Sequence, residues 1–169
     1  WIQKAVGYSL TGLTNEQCFF LCYGVGSNGK STFLNILRSI LGDYSEQASF
    51  ETFLKHDRES VRNDLASLKS CRVVVASEID EGQMLNESLI KTITGGDPIT
   101  ARLLYSEFFT YTPQFKVWLA ANHKPTISGT DHALWRRVRL IPFNVVIPDA
   151  EQDKDLTAKL KMEMPGILY

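Results

Sequence analysis

The run Gly24-Val-Gly-Ser-Asn-Gly-Lys30-Ser31 constrains the fold of this chain more than any other feature. It fits the pattern G-x-x-x-x-G-K-[ST] without a mismatch. Before it lies a short apolar stretch, Gln17 to Tyr23, rich in Phe, Leu and Cys. After it, Phe33, Ile36, Leu37, Ile40 and Leu41 recur at helical spacing, and Gly42 supplies a stop. The motif therefore sits between a strand and a helix, where a phosphate-cradling loop has to be. Glycines let successive backbone N–H groups turn inward toward phosphate oxygens, and the new helix adds its positive end. Lys30 then reaches the β- and γ-phosphates, and the Ser31 hydroxyl is a ligand for Mg²⁺. The motif alone does not choose among ATPase, GTPase, kinase and helicase.

The rest of the chain reads as strands alternating with helices. Trp1 to Leu10 and Arg58 to Leu68 suit short helices, the second with Val61, Leu65 and Leu68 on one face. Arg72 to Ala76 is a β-branched strand run. Asn86 is an N-cap candidate for a helix that Gly95-Gly96 ends. Ile99 to Tyr111 alternates as two short strands with a tip near Tyr105-Ser106. Phe115 to Ala121 and Arg137 to Phe143 are further strands, and Glu151 to Met164 a charged helix with Leu156 and Leu160 inward. This order predicts an α/β domain with a largely parallel sheet.

The 169 residues are one domain's length. With 18 Lys plus Arg against 19 Asp plus Glu, the net charge of −1 excludes a histone-like polycation and a disordered acidic tail, while a local basic patch stays possible. Cys18, Cys22 and Cys71 lack zinc spacing and read as reduced core thiols of a cytosolic protein. No apolar run is long enough to span a bilayer, so no membrane role is expected. The absent initiator Met and the abrupt end predict a piece of a longer protein.

Three further features carry chemistry. Val73-Val-Val-Ala-Ser-Glu78 ends a strand in an acid, the position needed to hold Mg²⁺ or polarise water; Asp80 and Glu81 follow. Lys116-Val-Trp-Leu-Ala-Ala-Asn122 ends a strand in an amide able to bond an attacking water or the γ-phosphate. Trp135-Arg-Arg-Val-Arg139 offers Arg136 and Arg137 as arginines that could reach a neighbour's γ-phosphate.

In this order and spacing, with Lys91-Thr-Ile-Thr-Gly-Gly-Asp97 between the acid and the amide, these motifs resemble the superfamily 3 helicases. The nearest likeness is to the helicase part of the phage and plasmid primase–helicase family, similar to the poxvirus-type primase–helicase. The resemblance implies an AAA+-like P-loop NTPase, a three-layer α/β/α domain with an inserted β-hairpin, spanning residues 1–169, with a primase-type domain upstream. It implies a ring, usually a hexamer, around single-stranded DNA, moving 3′→5′ and hydrolysing ATP with Mg²⁺ between subunits. Gly24, Gly26, Ser27, Asn28, Gly29, Lys30, Ser31 and Thr32 would form the Walker A loop, Glu78 the Walker B acid, and Asn122 the sensor. Arg137, or failing it Arg136, would be the finger on the adjacent subunit's ATP. Lys91 falls in the motif peculiar to the superfamily, and the hairpin from Arg102 to Glu107 would grip DNA in the channel through Arg102 or by stacking of Tyr105. Ser77 stands where relatives often carry the first of two acids, and the hairpin tip lacks their usual Lys or His. The setting expected is replication of phage, plasmid or prophage DNA in a bacterial cytoplasm. A small P-loop kinase and a nucleotide-gated assembly module with little turnover are the competing readings.

Overall fold

The computed structural model describes residues 1–55, 62–77, 82–123, 125 and 132–167. Helix α1 (Ile2–Leu10) leads to strand β1 (Phe19–Tyr23), the loop above, and helix α2 (Lys30–Leu41). Strand β2 (Ser45–Gln47), a 3₁₀ turn at Phe50–Phe53 and helix α3 (Asn63–Ala66) precede β3 (Val73–Ser77) and α4 (Glu87–Gly95). The hairpin strands are β4 (Ile99–Ala101) and β5 (Phe109–Tyr111). Then come β6 (Lys116–Ala121), α5 (His132–Trp135), β7 (Val138–Pro142), α6 (Leu156–Met162) and α7 (Met164–Ile167).

Five strands pair in the order β2-β3-β6-β1-β7, and every pairing is parallel. The fold is therefore α/β, with a sheet more uniformly parallel than the sequence required. Parallel strands must be covered on both faces, and alternate residues of β1 show how. Phe20 and Cys22 join α1 and α2 on one face, whereas Phe19 and Leu21 join α4, α5 and the segments around Phe53 and Leu65 on the other. Trp118 of β6 is fully buried on the first face, stacked on Phe20 with ring centroids 4.1 Å apart. Its indole N–H donates to the Ser9 hydroxyl at 3.0 Å, which ties α1 to the sheet.

Several boundaries differ from the sequence reading. Of the helix expected over 58–68, residues 58–61 lie outside the described residues; among the rest Asn63–Ala66 is α-helical, followed by a 3₁₀ turn at Ser67–Ser70. The charged C-terminal helix is shorter, and none of its residues is buried. Leu156 is 37% exposed because it faces a cleft rather than a core. The Asn86 cap stands as expected, its side chain accepting from Leu89 N–H at 3.0 Å. Cys18, Cys22 and Cys71 are free and buried.

These buried groups give stability a pH dependence. Burial pushes the Cys22 thiol up to about 12, against the pull of Lys30, and burial with Glu46 nearby lifts Cys71 to about 11. Burial lifts Tyr111 to about 12. An unfolded chain releases its thiol protons from about pH 8.5 upward while the native fold keeps them, so this stabilisation is complete below that pH and is lost as pH climbs to 11–12. Lys116 acts in the opposite sense. Burial, then Arg72, lower its amine to about 8, so between that pH and about 10.4 the unfolded state holds the extra proton and stability rises. Urea midpoints under reducing conditions should peak near pH 9 and decline steadily beyond it. Lys116→Met should remove the rising limb.

Candidate functional site: the cleft at the strand ends

In open α/β sheets, ligands bind outside the carboxyl ends of the strands where the chain order switches direction. Here β1 is that place. The chain leaves it for the far side of the sheet, returns to it through β6, and then adds β7 on its other flank. The glycine loop sits at this end of β1.

Two glycines meet backbone demands in the loop. Gly24 has φ +153°, and a Cβ there would stand 2.1 Å from the Phe143 carbonyl oxygen. Gly29 caps α2 with φ +86° in the left-handed region. Ser27 is also left-handed, with φ +56°. Gly24→Ala should therefore wedge apart the β1 and β7 ends. A drop of several degrees in Tm is expected, which thermal denaturation checks.

Lys30 is buried, and its ammonium donates to the Gly24 carbonyl, to Val25 O at 3.2 Å and to Asn28 Oδ1 at 3.1 Å. Burial lowers its amine below the ordinary lysine value, with Cys22 opposing. Asn28 braces the loop: its amide donates to Val25 O and, at 2.9 Å, to Phe143 O. Ile147 N–H donates to Ser27 O at 2.8 Å. The chain after β7 is thus strapped across the loop.

The loop, Ser77 at the tip of β3 and Asn122 past the tip of β6 line one cleft of about 630 Å³. Ser31, Thr32 and Lys30 all face it. Its far wall is the strap and the start of α6, including Ile147, Gln152, Leu156 and Thr157. Sequence reasoning missed this wall, since nothing in residues 143–157 carries a motif. Glu78, Asp80 and Glu81 lie outside the described residues.

The arginines lie elsewhere. Val138 pairs with Phe19, so Arg136 and Arg137 stand at the start of β7, at the opposite end of the sheet from Gly24. Five residues of strand put roughly 15 Å between the two ends. Neither arginine belongs to this chain's own cleft. They differ from each other: Arg136 is exposed, with its guanidinium donating to Gln17 Oε1 at 2.6 Å, whereas Arg137 is buried.

The hairpin β4–β5 forms a separate two-stranded sheet, anchored where Tyr111 Oη donates to Leu65 O at 2.6 Å. Tyr105 at its tip is fully exposed with φ +61°, and Leu104 and Phe108 are exposed beside it. The Arg102 guanidinium lies 4.8 Å from the Phe108 ring centre. Lys91 is half-buried on α4. The hairpin and the cleft are therefore separate features.

Residues 22–137 match the profile of a family described as being of unknown function, DUF5906. The chain belongs to DUF5906. Viral proteins resemble this DUF5906 domain over most of its length. It is 35% identical over 165 residues to a protein named "Putative helicase" of Acanthamoeba polyphaga mimivirus, covering 96% of this chain and 17% of that one. It is 32% identical over 126 residues to a "Putative helicase" of Frog virus 3, covering 71% of this chain and 13% of that protein. A "Putative primase" of African swine fever virus is 25% identical over 142 residues, covering 82% and 15%. The domain thus spans less than a fifth of each of these relatives. Among solved structures, the apo C-terminal region of NrS-1 superposes with a TM-score of 0.71 at 12% identity, covering 98% of this chain and 44% of that one. That likeness bears on the fold. No helix among the described residues is long and apolar enough to cross a membrane.

Proposed function

We propose that this domain is the ATP-hydrolysing motor of a DNA helicase in a primase–helicase that serves viral or mobile-element replication. The observation that carries the reading is the placement of Lys30, in a glycine loop at the carboxyl end of β1, facing a cleft shared with Asn122 and the tip of β3. The viral relatives named as helicases and primases supply the nucleic-acid side.

The residues present fit a nucleoside triphosphate. Left-handed Ser27 and Gly29 turn the loop, α2 adds a positive end, and the Lys30 ammonium sits among neutral carbonyls that a phosphate would outbid. The Ser31 hydroxyl is exposed in the same cleft, the kind of hard oxygen donor Mg²⁺ takes, with Glu78 proposed as its acidic partner. Held by Ser31 and Glu78, Mg²⁺ would supply positive charge to the triphosphate. Lys30 would hold the β- and γ-phosphate oxygens, Asn122 would orient the attacking water or the γ-phosphate, and Glu78 would polarise that water. Ile147 and Leu156 give the cleft its apolar wall, suited to a base. An arginine at the β7 edge of the next subunit completes the site, which requires a ring, proposed as a hexamer. The hairpin, through Arg102, Tyr105 and Lys91, engages single-stranded DNA, with 3′→5′ movement.

The test is steady-state ATP hydrolysis against protein concentration, with and without a single-stranded oligonucleotide. A rate per subunit that climbs with both supports the motor. Stimulation by a small phosphate acceptor instead would make the protein a kinase. ATP binding without turnover, even with DNA and in the oligomer, would make it an assembly module.

A further inference from the structure

The far wall of the cleft carries one side chain whose direction is fixed by chemistry. Gln152 follows the 3₁₀ turn Asp149–Glu151 and lines the cleft. Its Nε2 donates to Ile147 O at 3.0 Å and to Asp149 Oδ1 at 2.9 Å. A side-chain amide nitrogen has two hydrogens, and both are spent here. A peptide carbonyl and a carboxylate only accept, so turning the amide end for end would set oxygen against oxygen. The remaining pole of the group is Oε1, to which no described residue donates.

The same bonds hold this amide at a set place relative to the glycine loop. Ile147 accepts from Gln152 on its carbonyl and gives its own N–H to Ser27 O at 2.8 Å. Asn28 fastens the start of the strap at Phe143 O, 2.9 Å away. One residue, Ile147, therefore stands between the amide and the loop. A reader held in this way by its supporting bonds loses little freedom on binding.

A nucleotide whose phosphates lie on the loop extends its base toward that wall. Ile147 and Leu156 are the apolar side chains larger than alanine among the described residues of the lining, and they suit the faces of a base. The edge of the base then meets an acceptor at Gln152. Asp153 next to it is already engaged, accepting from Lys159 Nζ at 2.6 Å and from the Asp155 N–H at 2.9 Å. An amide oxygen bonds an exocyclic amine and is left facing another acceptor when the base carries a keto oxygen there.

We propose that Gln152 is the residue that selects the base, its Oε1 accepting from the C6 amine of adenine and disfavouring the 6-oxo purines. The strap between Phe143 and Gln152 sets its position. The proposal rests on the nucleotide-binding reading above and assigns base choice, which that reading leaves open.

The experiment is calorimetric titration of the full-length protein with the Mg²⁺ complexes of ATP, inosine triphosphate and GTP, beside thermal denaturation of each variant. Inosine triphosphate carries an oxygen in place of the C6 amine. Wild-type protein should bind ATP about 10-fold tighter than inosine triphosphate, the cost of one bond left unmade. Gln152→Ala should weaken ATP to the level of inosine triphosphate, leave inosine triphosphate where it was, and keep the Tm of the free protein. Gln152→Met, which keeps the length of the side chain and loses both poles, should behave alike. Equal affinities in the wild type, or GTP bound more tightly than ATP, would overturn the proposal; the second result would mean that the N1–H and 2-amino edge of guanine is read. So would a ratio of ATP to inosine triphosphate that Gln152→Ala leaves unchanged, because a structural role weakens both nucleotides together. A ratio moved by Glu151→Ala and not by Gln152→Ala would make the neighbouring carboxylate the reader and overturn it as well. Wild-type protein that binds none of the three would instead sink the nucleotide reading, and the proposal with it.

Discussion

Lys30→Ala should reduce ATP hydrolysis by about 10³-fold and leave the protein folded. The size follows from what the ammonium does in the proposed reaction. Charge builds on the γ-phosphate oxygens, and removing one preorganised donor of this kind costs about 10²–10³ in rate. A full cation bridging two phosphates belongs at the upper end. Folding is spared because the amine is desolvated where it sits; burial already lowers its affinity for a proton. Its three acceptors are loop oxygens, of which the Asn28 side chain keeps contacts of its own with the Lys30 backbone N–H. ATP titration by calorimetry, beside a turnover assay, separates lost binding from lost chemistry. Normal turnover in Lys30→Ala would remove the cleft from the mechanism.

Trp118→Ala should cost about 3–5 kcal/mol, a large share of the roughly 5–15 kcal/mol by which a native domain is stable. The indole is fully buried in the central strand β6. It is stacked on Phe20 of β1 and tilted against Phe33 of α2 at 5.5 Å. Truncation empties the seam between the sheet and the helix that begins at the glycine loop. It also leaves the Ser9 hydroxyl without its donor, although that hydroxyl still bonds Ala5 O at 2.8 Å. Trp118→Phe keeps most of the volume and should recover more than half of the loss. Urea denaturation followed by far-UV circular dichroism measures both variants. A loss below 1 kcal/mol would mean that the seam repacks.

What could be read from the residues was local. The glycine loop declares itself because its four fixed positions match a pattern with a local mechanism, all within eight residues. Strands β1, β3 and β6 show as apolar runs since both faces are buried. The Asn86 cap and the Gly95-Gly96 stop follow from side-chain and φ requirements that act over one turn. The strap was not legible. Its hold on the loop is one backbone bond, from Ile147 to Ser27, and the Asn28 amide on Phe143, across 115 positions. Backbone groups leave no mark in composition. Leu156 shows the reverse error: helical spacing suggests a core face, and its side chain lines the wall of a cleft, whereas Leu160 is half-buried. For Arg136 and Arg137 the chain passes within three residues from a one-turn helix to a strand. No single period spans that change, so the sequence held no clue to which arginine is buried. Glu78 lies outside the described residues, and its part in the chemistry stays a proposal.

The all-parallel order of the sheet has a consequence for how this domain is made. Phe20 of β1 sits beside Trp118 on one side and Arg139 on the other, partners roughly a hundred or more positions downstream. No hairpin shortens that wait, and long-range parallel pairing is slow because loop closure precedes its reward. As the chain leaves the ribosome, Phe19-Phe-Leu-Cys-Tyr23 emerges ahead of both its neighbours and stays unpaired until β6 has been synthesised. An apolar strand waiting in that state is a point of capture for chaperones or for other nascent chains. The strand that carries the glycine loop thus gains its second neighbour only when β7 has been made, and the loop at its end is fixed in place only as the sheet is completed.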